Sequence, residues 1–198
     1  MSAALYMVKV QSMIRLFASE TTDPCKILSH LEQHLVRELR KNYFLTLSLI
    51  KINQEGNVEI CRAGHLPALY FEAESDACTR IEPAGLAIGF QRGQPPKADQ
   101  PEYIDQLRVE TKACKDGDIL FLYTDGVIET FNAKREEFGE ERLEALVGDH
   151  KQDSSNEIKS SLLETLTTFR QGSELFDDTT FVVLKYAGTN GTVQQITR

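Results

Sequence analysis

The first part of the chain distributes its apolar residues with a helical period. Residues 3–17 are apolar nearly all round a helix, which predicts a helix that is buried or has lost a covering layer. Asp23 and Pro24 have the character of an N-cap and a first helical position, so a second helix is predicted to begin there. Its apolar stripe runs to about Arg40 and consists of Ile27, Leu28, Leu31, Leu35, Val36 and Leu39.

From Tyr43 the pattern changes to that of β-strands and turns. Residues 44–52 are rich in β-forming side chains, residues 54–57 predict a turn, and residues 58–62 predict a second strand. Residues 91–100 contain Gly93, Pro95 and Pro96, which predict a mobile loop. Further strands are predicted at 68–72, 103–111, 119–123 and 180–186.

Helical spacing returns near the end of the chain, at residues 140–147 and 156–169. The order of helices, then many strands, then helices and a last strand predicts an α+β fold in layers, with two packed sheets flanked by helices. We expect one domain over residues 1–187 and a flexible polar tail over residues 188–198.

Composition narrows the class of protein. The chain has 198 residues and a net charge of −8, which disfavours nucleic acid or an anionic membrane as a partner. No run approaches the ~20 apolar residues of a membrane span, and no signal peptide is visible. The cysteines, Cys25, Cys61, Cys78 and Cys114, are widely spaced, so we expect reduced thiols and a cytoplasmic protein.

Two acidic clusters border apolar runs that read as buried strands. Asp125 and Gly126 follow the run at 119–122, and Asp177 and Asp178 precede the run at 181–184. A carboxylate at the end of a buried strand destabilises the fold unless a cation or a hydrogen-bond donor compensates its charge. If the fold brings these two strand ends together, the carboxylate oxygens form a site for Mg²⁺ or Mn²⁺.

Each candidate also has a purely structural interpretation. Asp125 and Gly126 fit a plain turn, and two adjacent aspartates before a strand fit a polar loop or a cap. His65 in a Gly/Pro-rich loop is typical of a structural hydrogen bond. His30 and His34 are spaced to share a helix face, as in a zinc site, but no glutamate follows His30, so a solvated face is favoured.

Five strings of the chain stand out as motifs. They are Ala-Gly-His-Leu-Pro-Ala-Leu at 63–69, Gly-Leu-Ala-Ile-Gly at 85–89, Gly-Asp-Ile-Leu-Phe-Leu-Tyr-Thr-Asp-Gly-Val-Ile-Glu at 117–129, Glu-Phe-Gly-Glu-Glu-Arg-Leu at 137–143 and Asp-Asp-Thr-Thr-Phe-Val-Val-Leu at 177–184. They resemble motifs of the bacterial PP2C-like (PPM) serine/threonine phosphatases of the SpoIIE/RsbU branch, and they occur in the family's order. The resemblance implies an α+β fold built on a β-sandwich of two antiparallel sheets flanked by helices.

The resemblance also implies a site and a reaction. Asp125 and Asp177 match catalytic metal ligands, Asp178 is a neighbouring candidate ligand, and Gly126 is the position of close backbone approach. Two ions, Mn²⁺ or Mg²⁺, would activate a water against a phosphoserine or phosphothreonine. The implied partners are a phosphorylated STAS-domain antagonist of an anti-sigma factor and an upstream sensor domain.

The resemblance has one departure, at the front of the chain. Relatives carry an Asp-x-x-Gly-His-Gly-like segment, with a metal-bridging aspartate, just before the Ala-Ala-Leu that appears here at residues 3–5. We therefore expect an N-terminally truncated domain with weak metal affinity and little turnover. Strands missing from a sheet would leave an open edge, so we also expect a homodimer through that edge.

Three alternatives remain beside this hypothesis. Residues 123–130 also resemble the first motif of haloacid-dehalogenase-type phosphatases, but Tyr123 stands where that family has its nucleophilic aspartate. A pseudophosphatase would bind a signalling partner without turnover. Finally, the two helices of residues 2–40 could act as a regulatory switch pair, which is compatible with catalysis.

Overall fold

The computed structural model describes residues 3–40, 43–53, 55–90, 102–172 and 177–187. Seven strands and five α-helices are described in these ranges. The helices are α1 (Ala3–Glu20), α2 (Pro24–Leu35), α3 (Asp125–Ile128), α4 (Gly139–Asp149) and α5 (Ser155–Arg170). The strands are β1 (Leu47–Ile52), β2 (Asn57–Ala63), β3 (Ala68–Glu72), β4 (Ala77–Ile81), β5 (Val109–Ala113), β6 (Ile119–Tyr123) and β7 (Phe181–Lys185).

The strands form two sheets, as the pattern predicted. One has the order β1-β2-β5, and the other has the order β4-β3-β6-β7. The pairs β1–β2, β3–β4, β3–β6 and β6–β7 are all antiparallel. The fold class is therefore confirmed as α+β with two antiparallel sheets and flanking helices. The chain divides into two compact units, Met1–His65 with Glu82–Lys112, and Leu66–Ile81 with Ala113–Arg198.

In the first unit, α2 covers strands β1 and β2, and α1 packs on α2 in the same apolar core. Leu28, Leu31 and Leu35 of α2 are fully buried, and they pack in one cluster with Cys61 and Ala63 of β2. The predicted start of α2 is confirmed, because the Asp23 carboxylate accepts hydrogen bonds from the backbone N–H groups of residues 25 and 26 and Pro24 follows at the first helical position.

Helix α1 is not buried all round, so of the two interpretations given for its apolar pattern the exposures favour a helix without a covering layer on one face. Only Tyr6, Val10 and Phe17 are buried, whereas Leu5, Met7, Val8 and Leu16 are exposed. One face of α1 therefore contributes to the core of its unit, and the opposite face has no cover within the described residues.

Helix α2 ends at Leu35, earlier than the stripe predicted. The stripe continued to Leu39 because the turn after the helix keeps Leu39 buried, with its N–H bonded to the carbonyl of Leu35.

The predicted strand at 103–111 was also wrong in its first half. Residues Tyr103–Gln106 form a 3₁₀ helix whose Tyr103 hydroxyl donates to the carbonyl of Leu86, and β5 begins only at Val109.

Two glycine motifs of the sequence lie against each other in the first unit. The N–H of Gly64 donates to the carbonyl of Gly85 at 2.9 Å. Gly64 has a φ of +64°, and a Cβ there would lie 2.8 Å from the backbone nitrogen of Ala87. Glycine is required at this position because an L-residue would be both strained and crowded. This contact joins the strings at 63–69 and 85–89 in space.

In the second unit, α4 and α5 cover the four-stranded sheet. Phe121 of β6, Leu143 of α4, and Ile158 and Leu162 of α5 are fully buried in one cluster. The buried β6 is thus the central apolar strand of this unit, and its polar neighbours in sequence emerge at its end.

Two further expectations remain predictions. The flexible tail at 188–198 and the mobile loop at 91–100 lie outside the described residues. Strands β1 and β5 end the three-stranded sheet as described, but whether either edge pairs with a second chain stays a prediction.

None of the helices described is both long enough and apolar enough to cross a membrane.

Candidate metal centre

Antiparallel pairing of β6 and β7 brings the two acidic clusters to the same end of a sheet. Tyr123, the last residue of β6, lies opposite Phe181, the first residue of β7. Because the strands run in opposite directions, the residues that follow β6 and those that precede β7 emerge side by side. Asp125 and Asp178 therefore belong to neighbouring segments, although they come from distant parts of the chain.

Hydrogen bonds of Thr124 hold the two segments together. Its backbone N–H donates to the carbonyl of Thr180 at 2.9 Å, and its Oγ1 accepts from the N–H of Thr180 at 3.1 Å. The same hydroxyl lies 3.3 Å from the Thr180 carbonyl and 3.4 Å from that of Asp178. A side chain that bonds both strand ends in this way fixes their register at the point where the acids emerge.

Gly126 packs directly on the Asp178 segment. A Cβ at Gly126 would lie 3.0 Å from the carbonyl carbon of Asp178, and closer still to its oxygen. The carbonyl of Gly126 accepts hydrogen bonds from the hydroxyls of Thr179, at 3.3 Å, and Thr130, at 2.8 Å. Position 126 therefore needs glycine, because any side chain would separate the two segments.

The three aspartates are exposed, and two of them have local hydrogen bonds. Oδ1 of Asp125 accepts from the N–H of Gly126 at 3.0 Å, and Oδ1 of Asp177 accepts from the N–H of Asp178 at 2.7 Å. Among the described residues, no ion pair involves any of the three. Their remaining carboxylate oxygens are hard donors of the kind that Mg²⁺ and Mn²⁺ accept.

The residues fit one part of a metal site. Within the described ranges, no group of three or more His, Cys, Asp or Glu side chains is arranged to hold a metal ion. Asp125, Asp177 and Asp178 supply suitable oxygens at one sheet end, and the described residues do not complete a coordination shell around them. Glu129, four residues after Asp125, is exposed at the end of α3.

Tyr123, at the position where haloacid-dehalogenase-type phosphatases have their nucleophile, has a structural role. The ring of Tyr123 is buried in the apolar core of the second unit, and its hydroxyl donates to the Glu140 carboxylate at 3.0 Å. Burial, followed by that hydrogen bond, raises the pKa of the Tyr123 hydroxyl, so the group stays neutral. Together with the antiparallel sheet, this excludes the haloacid-dehalogenase interpretation, which needs an aspartate here and a parallel sheet.

The candidate histidines, His30, His34 and His65, have contacts of their own. The rings of His30 and His34 pack edge-on against that of Phe17, with their centroids 5.2 and 5.4 Å from its centroid. His34 is exposed, in agreement with the predicted solvated face, whereas His30 is half-buried. His65 Nδ1 lies 3.4 Å from the hydroxyl of Thr46, in agreement with a structural role.

Sequence reasoning missed Thr124, whose only signal was its place between a buried strand and an aspartate.

The comparison with family models decides the family. The model described as Stage II sporulation protein E (SpoIIE) matches residues 1–187. The chain belongs to the SpoIIE family. The family is one of PP2C-like phosphatase domains, so the resemblance read from the sequence is confirmed. No curated protein sequence matches the chain at a significant level.

Solved structures of SpoIIE-family and related domains share the fold. The RsbU and RsbW domains of a Mycobacterium tuberculosis protein match with a TM-score of 0.73 at 19% identity, over 94% of this chain and 48% of that one. The SiaA PP2C domain of Pseudomonas aeruginosa matches with a TM-score of 0.73 at 18% identity, over 92% and 70%. The manganese-presoaked SpoIIE phosphatase domain of Bacillus subtilis matches with a TM-score of 0.57 at 17% identity, over 90% and 74%. This SpoIIE-family chain thus spans about half the length of the first of these structures.

Proposed function

We propose that this chain is a metal-dependent protein serine/threonine phosphatase domain. The observation that carries the proposal is the contact between Gly126 and Asp178, which places Asp125, Asp177 and Asp178 in adjoining segments. Membership of the SpoIIE family supports the reaction class. The substrate we propose is a phosphoserine or phosphothreonine of a partner protein, a STAS-type antagonist of an anti-sigma factor, in the cytoplasm.

We propose Asp125 and Asp177 as metal ligands and Asp178 as a further candidate, with Mn²⁺ or Mg²⁺ as the ions. The manganese presoaking of the Bacillus subtilis domain supports a divalent metal of this kind. A divalent ion held by these carboxylates would supply a Lewis acid that activates water and neutralises charge on the phosphoryl group. Thr124 positions the ligands by tying their two segments, and Gly126 keeps those segments in contact.

The experiment measures Mn²⁺ binding and hydrolysis of a phosphopeptide by the 198-residue chain. We expect weak Mn²⁺ binding and slow turnover, because the described residues supply only part of a coordination shell. Asp125→Asn and Asp177→Asn should each weaken Mn²⁺ binding roughly tenfold or more. Asp149→Asn, an exposed aspartate at the end of α4, is the matched control and should bind Mn²⁺ like the parent chain.

Two outcomes would contradict parts of this proposal. Mn²⁺ binding that is unchanged by both substitutions would remove Asp125 and Asp177 from the site. Fast, metal-dependent hydrolysis would contradict the expectation of low turnover, while leaving the reaction class in place.

A second candidate function is a partner-binding module without catalysis. The observation that favours it is that the described residues contain no complete metal-binding group. Such a module should bind the phosphorylated partner and leave it phosphorylated in the presence of Mn²⁺. The same phosphopeptide assay therefore separates the two functions.

A further inference from the structure

A cavity of about 510 Å³ lies beside the acidic segment, inside the second unit. Helix α5 lines one side with Leu166, Thr167 and Arg170, and the segment before β7 lines the other with Asp177 and Asp178. We call this cavity the α5 pocket. It adjoins the proposed metal ligands, so anything bound in it would lie next to the reaction.

Arg170 is the unexplained group of the α5 pocket. Its Nε is buried without a hydrogen-bond partner, and among the described residues it is the one buried side-chain nitrogen or oxygen atom in that condition. Leaving a buried donor unsatisfied destabilises the fold, and nearly all such donors in folded proteins have partners. An orphaned donor on a pocket-lining residue points to an acceptor that arrives with a ligand, and because the Nε is closed to solvent, the side chain must rotate toward the pocket for that acceptor to reach it.

Arg170 is also free of the neighbouring acids. Within the described part of the chain no ion pair involves Arg170, although Asp177 and Asp178 line the same pocket. The guanidinium therefore keeps its charge and its planar set of donors for another partner. Guanidinium groups bind phosphate in a forked, two-bond geometry that few other side chains can match.

We infer that the α5 pocket is an oxyanion subsite in which Arg170 binds the phosphoryl group of the substrate. This inference rests on the proposed function, because it places the phosphoryl group beside the ligands Asp177 and Asp178. Leu163 and Leu166 line the same pocket and suit the short apolar stem of a phosphoserine or phosphothreonine. Arg170 is then a substrate-binding residue contributed by α5.

Charge predicts that phosphate binding and metal binding are coupled. The two aspartates oppose an anion in the pocket, and one arginine does not offset both. A divalent cation on the carboxylates reverses the balance, so phosphate should bind more tightly when Mn²⁺ is present. By linkage, phosphate should tighten Mn²⁺ binding by the same factor.

The test measures binding of inorganic phosphate to the 198-residue chain by calorimetry, with and without Mn²⁺, with acetate as a carboxylate probe. Arg170→Gln should weaken phosphate binding roughly tenfold or more, and Arg170→Lys should restore part of it, because a lysine keeps the charge and loses the fork. Arg15→Gln removes the same charge from an exposed position of α1 and should change nothing. Circular dichroism checks that each variant is folded.

The outcomes separate this inference from the proposed function. Phosphate binding that depends on Arg170 supports the subsite, even if the chain shows no hydrolysis. Phosphate binding that is equal in the parent chain and Arg170→Gln, or absent from the parent chain at millimolar phosphate, overturns it. Acetate binding as tightly as phosphate would also overturn it, because the pocket would then recognise carboxylates in general. Mn²⁺ binding is expected to survive Arg170→Gln, whereas its loss in Asp125→Asn tests the proposed function alone.

Discussion

The backbone of Gly126 lies against the carbonyl group of Asp178, and this contact joins the two acidic segments. The room between them is less than one methyl group, since a Cβ at Gly126 would lie 3.0 Å from the Asp178 carbonyl carbon. The contact is made by backbone on both sides, so a flexible side chain cannot move away to relieve an added group. The position of the Asp178 carboxylate relative to Asp125 therefore depends on residue 126.

Gly126→Ala tests this dependence. The added methyl group should lower the free energy of unfolding by about 1–3 kcal/mol through overpacking, and it should also weaken Mn²⁺ binding by moving Asp178 away from Asp125. Gly148→Ala is the matched control, because nothing lies within 4 Å of a Cβ built at Gly148 in α4. That control should be neutral or stabilising by up to about 1 kcal/mol. Urea unfolding and Mn²⁺ titration of both variants measure these effects. If Gly126→Ala and Gly148→Ala change stability and Mn²⁺ binding equally, crowding against Asp178 is not the cause.

The sequence predicted the meeting of these segments in part. The apolar run before Asp125 and the apolar run after Asp178 indicated two buried strands with acidic residues at their ends. That the strands are antiparallel neighbours is a property of the whole sheet, and no local pattern encodes it. The family motifs supplied this missing information.

Other features had no local signal at all. Arg170 looks like any solvated arginine at the end of a helix, and only its place on a pocket wall distinguishes it. The end of α2 was misplaced because tertiary packing keeps Leu39 buried beyond the last helical turn. In each case the deciding contact comes from a distant part of the chain, which periodicity does not report.

The buried carboxylate of Asp118 should be a main determinant of the stability of the second unit. It is only 2% exposed and accepts hydrogen bonds from the Tyr70 hydroxyl, from the N–H of Ala73 and from the N–H of Lys115. Asp118→Ala would leave these donors without their acceptor and should cost about 3 kcal/mol or more of unfolding free energy. Asp116→Asn changes an exposed neighbour and should stay within about 0.5 kcal/mol of the parent chain in the same urea titration. A small effect of Asp118→Ala would show that water replaces the carboxylate.

The capping box of α5 predicts a pH dependence of stability. The backbone N–H of Ser154, and then its hydroxyl, donate to the Glu157 carboxylate and hold the pKa of Glu157 below its usual range. Because the folded pKa is the lower one, this stabilisation is present above the unfolded pKa of about 4.3 and is lost as the pH falls through the folded value. Glu157→Gln keeps a capping side chain but cannot titrate.

Thermal unfolding of the parent chain and Glu157→Gln across pH 3–7 checks this prediction. The parent chain should be the more stable of the two at neutral pH, and the difference should disappear in acid. Glu164→Gln, at an exposed position of the same helix, should show no such loss. A difference between the parent chain and Glu157→Gln that is constant with pH would mean that the cap acts without its charge.

The four cysteines should react slowly in the native protein. All are free thiols, and burial raises the pKa of each, to about 11 for Cys78. An unfolded cysteine ionises near about pH 8.5. The native state therefore holds more protons between these values, so stability should fall as the pH rises from about 8.5 through about 11. At pH 7.5, iodoacetamide followed by mass spectrometry should find little alkylation until urea is added. Fast alkylation of Cys61, which is fully buried with its Sγ 3.3 Å from that of Cys25 in α2, would show that α2 opens away from β2 in the native state.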